Sequence, residues 1–88
     1  MAAEVGLVDV GLRVGDRVRF RRVTGGRWHE GIVKGRERDG SIALHDLRGA
    51  ARSIPIERLE VRRPGPRGSQ TWRSVAELAA DVEQLGLW

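Results

Sequence analysis

Val18 and Phe20 alternate with Arg17, Arg19 and Arg21, and this short stretch constrains the fold more than any other. The pattern is that of an extended strand with one face on a core and one in water, because successive β side chains point to opposite faces. Arg22 breaks the alternation and marks a bend or the end of pairing. Thr24-Gly25-Gly26 follows, and glycine accepts the positive φ of a tight turn at no steric cost. A second strand returns from about Trp28 to Arg36, with Gly31 and Val33 on one face and Trp28, Glu30 and Ile32 on the other. If Val33 faces the core, Gly31 lets a neighbouring strand approach or marks a bulge.

Further strands follow at short intervals. Asp39-Gly40 closes a charged hairpin connection, and Ser41 to Asp46 places Ile42 and Leu44 inward. Leu47-Arg48-Gly49-Ala50 is a turn. Ala51 to Ile54 is a fourth strand ended by Pro55, which cannot donate to a ladder. Pro55 to Leu59 reads as one 3₁₀-like turn dropping Ile56 and Leu59 into the mouth of a barrel, and Glu60-Val61-Arg62 as a last short strand.

The expected organisation is a lead-in over 1–12, a barrel over 13–62, a linker over 63–73 and a helix over 74–88. Val8, Val10 and Leu12 alternate in the lead-in, as a short edge strand or a frayed terminus would. Two prolines and two glycines between Arg63 and Gln70 argue for the linker. Ser74 and Glu77 form a capping-box pair, and Val75, Leu78, Ala79, Val82 and Leu85 make one apolar stripe closed by Gly86. A helix this short is marginal alone, so the stripe is expected to dock, with the outer Trp28/Ile32 face as its site and Trp72 nearby. Leu87 and Trp88 are expected to fold back onto it. The fold class is thus mainly β: a five-stranded barrel followed by one C-terminal α-helix.

Gly15-Asp16-Arg17-Val18, the Gly26-to-Val33 return, Asp39-Gly40-Ser41-Ile42 and Ile54-Pro55-Ile56-Glu57-Arg58-Leu59 together resemble SH3-like small barrels of the KOW and Tudor type. The resemblance spans residues 14–62. It implies that barrel fold and, for the KOW type, contact with nucleic acid or ribonucleoprotein through the first-loop region. Tudor-like reading of methylated side chains needs a cage of aromatic faces. Here the barrel offers Phe20 and Trp28, with His29 where the pattern often has a second aromatic, and the chain has no tyrosine.

The 88 residues carry 15 Arg and one Lys, a formal net charge of +4 and a pI near 11.2, a balance that favours polyanionic partners. An Arg bias of this kind is also what a GC-rich genome produces. The positive charge is concentrated: residues 13–73 are net +9, while 1–12 and 74–88 are net −2 and −3. Without cysteine there is no disulfide framework and no thiolate metal site. No secretory leader and no membrane-length apolar run is visible, so a cytoplasmic location, with no membrane partner, is expected.

His29 and His45 are the only histidines, and no carboxylate spacing marks a metal site. No serine is tied by motif to a histidine and an acid, and Gly25-Gly26-Arg27 is neither a Walker loop nor a dinucleotide fingerprint. No catalytic residue, metal, cofactor or small-molecule substrate is therefore expected. The expected function is a non-catalytic module contacting the DNA or RNA backbone through Arg17, Arg19, Arg21, Arg22, Arg27, Trp28, Lys34, Arg36 and Arg38, with Trp28 offering a stacking surface. The alternative is a protein–protein adaptor that uses Trp28, Ile32, Trp72, Trp88 and the amphipathic helix.

Overall fold

A computed structural model describes residues 6–85. Six strands form one antiparallel sheet: β1 (Arg17–Arg21), β2 (Trp28–Arg36), β3 (Ile42–Asp46), β4 (Ala51–Ile54), β5 (Leu59–Pro64) and β6 (Gln70–Ser74). A 3₁₀ turn, Ile56–Arg58, joins β4 to β5, and helix α1 (Val75–Leu85) follows β6 directly. The order across the sheet is β4-β3-β2-β1-β5-β6. Strands β4 and β6 are its two edges, and no ladder between them closes a barrel. No helix among the described residues is long and apolar enough to cross a membrane.

The expected inner face is the observed one. Val18, Phe20, Val33, Ile42, Leu44 and Leu59 are all buried, Ile56 is partly buried against them, and Val61 of β5 joins the same core. Gly31 pairs with Val18 on one side and Asp46 on the other. A Cβ there would lie 2.6 Å from the His45 carbonyl oxygen and 2.8 Å from Leu44 Cδ1, so only glycine lets β2 and β3 come this close. The register between these strands shifts between Val33 and Gly35, so Lys34 is the extra residue of a β-bulge. Beyond it, Asp39 Oδ1 accepts both the Ser41 hydroxyl at 2.7 Å and the Ser41 amide at 2.9 Å. These two bonds, the hydroxyl first, hold the Asp39 carboxyl below the usual carboxylate range.

Three expectations need correction. The first concerns strand number. Residues 63–73 are no linker: Arg63 and Pro64 extend β5, and Thr71 and Trp72 pair with Arg63 and Arg62 in a sixth strand. Gly65, Pro66 and Gly68 serve a hairpin tip instead, where the Gly65 amide donates to the Ser69 carbonyl at 2.6 Å. Turn residues punctuate hairpins and linkers alike, and the free edge of β5 is what lets Thr71 and Trp72 pair as a strand.

The second concerns the lead-in, which is neither an edge strand nor a frayed end over its described part. A helical turn at 6–8 leads into a loop, and Leu7, Val10 and Leu12 are buried in the core while Val8 is 63% exposed. Two arginines lock this segment down. Arg36 Nη1 donates to the Gly6 carbonyl at 3.0 Å and its Nε to the Gly40 carbonyl at 3.1 Å. Arg63 Nη2 reaches both the Gly11 carbonyl (2.7 Å) and Asp16 Oδ2 (2.9 Å).

The third concerns the helix. Ser74 caps α1 through the Glu77 amide at 3.4 Å, and Val75, Leu78 and Ala79 face the core. The helix packs on β5, β6 and the 3₁₀ turn rather than on Trp28 and Ile32. The reason lies in connectivity: α1 starts at the residue after edge strand β6, and Val75 is buried in one core with Leu7, Val10 and Leu12. The Leu85 side chain, Gly86, Leu87 and Trp88, expected to finish the stripe and fold back, lie outside the described residues.

Candidate nucleic-acid interface

Antiparallel pairing puts opposite residues on one face, so the outer face of the sheet follows from the register. Arg17, Arg19 and Arg21 stand opposite Ile32, Glu30 and Trp28 of β2. Glu60 of β5 faces Arg19, and Trp72 of β6 faces Arg62. Side chains from four strands therefore interlock. Arg21 Cζ lies 4.0 Å from the Trp28 ring centroid, Arg19 Cζ lies 4.0 Å from Trp28 and 4.9 Å from Trp72, and Arg62 Cζ lies 5.9 Å from Trp72. The contacts run Arg21–Trp28–Arg19–Trp72–Arg62, each cation–π contact worth about 0.5–1 kcal/mol at partly exposed sites. Two carboxylates complete the array: Glu30 takes Arg17 Nε at 2.8 Å, and Glu60 takes Arg19 Nη2 at 2.6 Å. On the other face His29 stacks on Phe20, ring centroids 5.5 Å apart.

These arginines are thus already occupied. Trp28, expected to be an open stacking surface, carries two guanidinium groups. Lys34, Arg36 and Arg38 lie at the far end of β2 or beyond it, Lys34 about 20 Å and Arg36 about 26 Å along the strand from Trp28 at the usual ~3.3 Å per residue. Arg36 holds the N-terminal segment, Lys34 projects from the bulge, and Arg38 sits exposed in the β2–β3 connection. The nine expected residues do not form one surface.

A tighter grouping lies at the end where the β1–β2 loop meets the β3–β4 turn. Arg22, Arg27, Arg48 and Arg52 line one cleft of about 480 Å³, together with Trp28, His29, Glu30, Asp46 and Leu47. Both carboxylates there have partners of their own, Arg17 for Glu30 and Arg52 for Asp46, the latter at 3.2 Å. Asp46 also accepts the Ala50 amide at 3.0 Å and the Arg48 amide at 2.9 Å. Chiefly the Ala50 bond, with help from Arg48 and Arg52, keeps its carboxyl ionised below the usual range against some desolvation. That shapes the turn and presents Arg48 outward. Among the described residues no carboxylate lies within ion-pair distance of Arg22, Arg27 or Arg48, and all three are exposed.

The cleft therefore has three uncompensated guanidinium groups, each with five donors in a fork that suits phosphate oxygens. Arg22 and Arg27 belong to the expected set. Arg48 and Arg52 do not, although an Arg beside Gly49 in a turn is a signal of the same kind as Arg27 beside Gly26. Among the described residues no three His, Cys, Asp or Glu side chains gather as a metal ion requires. No protein-family model matches this chain, and neither does any curated protein or solved structure at a significant level.

Proposed function

We propose that this protein is a non-catalytic nucleic-acid-binding module that grips the backbone of DNA or RNA, on an SH3-like fold of the KOW/Tudor type. The meander β1 to β4, the 3₁₀ turn before β5 and the return of β5 to β1 support the fold reading. The functional reading is carried by one observation: Arg22, Arg27 and Arg48 converge, unpaired, on a single cleft. Such groups bind phosphates by counterion release, with steep salt dependence and little sequence preference. Arg19 and Arg21 support the Trp28 wall of that cleft from the outer face, and Arg17 holds Glu30 beside it.

The adaptor reading has less support. Trp28 is occupied by arginines, and the α1 stripe over Val75, Leu78 and Ala79 is spent on the core. Its one favourable observation is a pair of exposed apolar side chains, Val23 at 64% and Leu47 at 65%, in the two loops of the cleft end. Titration of short DNA and RNA duplexes and single strands at two salt concentrations decides between the readings. Salt-dependent binding is expected, and undetectable binding at low salt overturns the proposal.

A further inference from the structure

Trp28 borders a second hollow besides the arginine cleft. This pocket of about 260 Å³ lies beneath the β1–β2 loop and is lined by Arg21, Thr24, Trp28, Glu57, Arg58 and Ser74, among others. Its size falls just below the range of about 300–1,000 Å³ usual for drug-sized ligands, which suits a single ring system. Arg58 fixes its mouth by donating from Nη1 to the Arg22 carbonyl at 3.1 Å.

Two charged groups that line the pocket make no hydrogen bond among the described residues, although one of them, Arg21, stacks on Trp28 at 4.0 Å. The Arg21 guanidinium finds no hydrogen-bond acceptor among the described residues, and its Nε is buried without a partner. The Nε is closed to a ligand, whereas Nη1 and Nη2 are not buried and remain free to donate. The Glu57 carboxylate, exposed on the 3₁₀ turn, has no donor among the described residues either. A guanidinium stacked on Trp28 and an anionic acceptor thus line one small pocket.

Resting on the nucleic-acid reading, we infer that this pocket is a guanine site for a single-stranded nucleic acid whose phosphates lie in the adjoining arginine cleft. Guanine alone among the common bases offers two adjacent donors, N1–H and N2–H, to the two oxygens of one carboxylate. Its O6 and N7 are the acceptors that a guanidinium takes. Adenine, cytosine, uracil and thymine lack the paired donors. The donor edge is the Watson–Crick edge, open only where the base is unpaired.

The test uses short pyrimidine oligonucleotides, RNA and DNA, with a single central guanine, a single central adenine or neither. The guanine probe is expected to bind wild type about tenfold tighter than the others, the discrimination of one good bidentate contact. Because the proposed contacts are to the base alone, the preference is expected with both sugars. Glu57→Gln and Glu57→Ala are expected to abolish it while leaving salt-dependent binding of the plain pyrimidine probe. Equal affinity for all probes, or a preference that survives both variants, overturns the guanine site and leaves backbone binding intact. Failure of every probe to bind at low salt overturns both.

Discussion

Replacing Arg22, Arg27 and Arg48 together with glutamine is expected to flatten the salt dependence of nucleic-acid binding without unfolding the protein. The three guanidinium groups are exposed, and their side chains make no hydrogen bond or ion pair among the described residues, so stability should move by no more than about 0.5 kcal/mol. Each phosphate neutralised on a single strand contributes about 0.7 to the slope of log K against log salt, so losing three lowers the slope by about 2. Between 50 and 200 mM salt, wild-type affinity should therefore fall about 20-fold more than that of the triple variant. The assay is fluorescence anisotropy of a labelled oligonucleotide over a salt series, with a thermal melt of each variant. The control is the charge-neutral pair Arg17→Gln with Glu30→Gln, which removes a 2.8 Å ion pair from the outer face. It should leave the slope unchanged, because that guanidinium is already compensated. An unchanged slope in the triple variant, or equal flattening by the control, refutes the distinction between occupied and free arginines.

Other consequences concern stability. Gly31→Ala puts a methyl 2.6 Å from the His45 carbonyl oxygen. A cost of about 1–3 kcal/mol is expected, hence a Tm at least about 4 °C lower, and a Tm within a degree of wild type would show that β2 and β3 are not so close. Leu7→Ala removes a side chain with 0% exposure and should cost about 2–5 kcal/mol. A negligible Tm change there would mean that the N-terminal segment is not part of the core. Asp39 and Asp46 have folded-state pKa values below their ordinary ones, so the unfolded state takes up protons first as the pH drops. Their contribution is complete above the ordinary aspartate pKa of about 3.9 and is lost as pH falls through the folded values. Wild type is expected to lose Tm on acidification through that window, and Asp46→Asn to lose less, measured by melts from pH 6 to pH 2.

Backbone-local features were legible in the sequence because their causes are local. The alternation of Val18 and Phe20 with arginines, the glycine turns, the Pro55 stop and the Ser74 cap each follow from the geometry of a few adjacent residues. The inward Gly31 was legible as well, since a glycine on the core face of a strand has few other uses. What failed involved partners distant in the chain. Thr71-Trp72 became a strand because β5 offered a free edge, and no nearby residue announces that. Leu7, Val10 and Leu12 became core because the open sheet left an inner face that α1 alone does not cover.

The charge pattern divides in the same way. Composition by itself determined that this chain is basic and that the excess lies between residues 13 and 73. Which arginines are available was decided only by the tertiary structure. Glu30 and Glu60 meet Arg17 and Arg19 through strand pairing, Trp28 and Trp72 collect Arg19, Arg21 and Arg62, and backbone carbonyls take Arg36 and Arg63. Arg13, Arg22, Arg27, Arg38, Arg48 and Arg67 remain because they stand outside the ladder that hands their neighbours a partner, and of these only Arg22, Arg27 and Arg48 line the one cleft. A strand places each side chain opposite another across about 5 Å, whereas a loop imposes no such pairing.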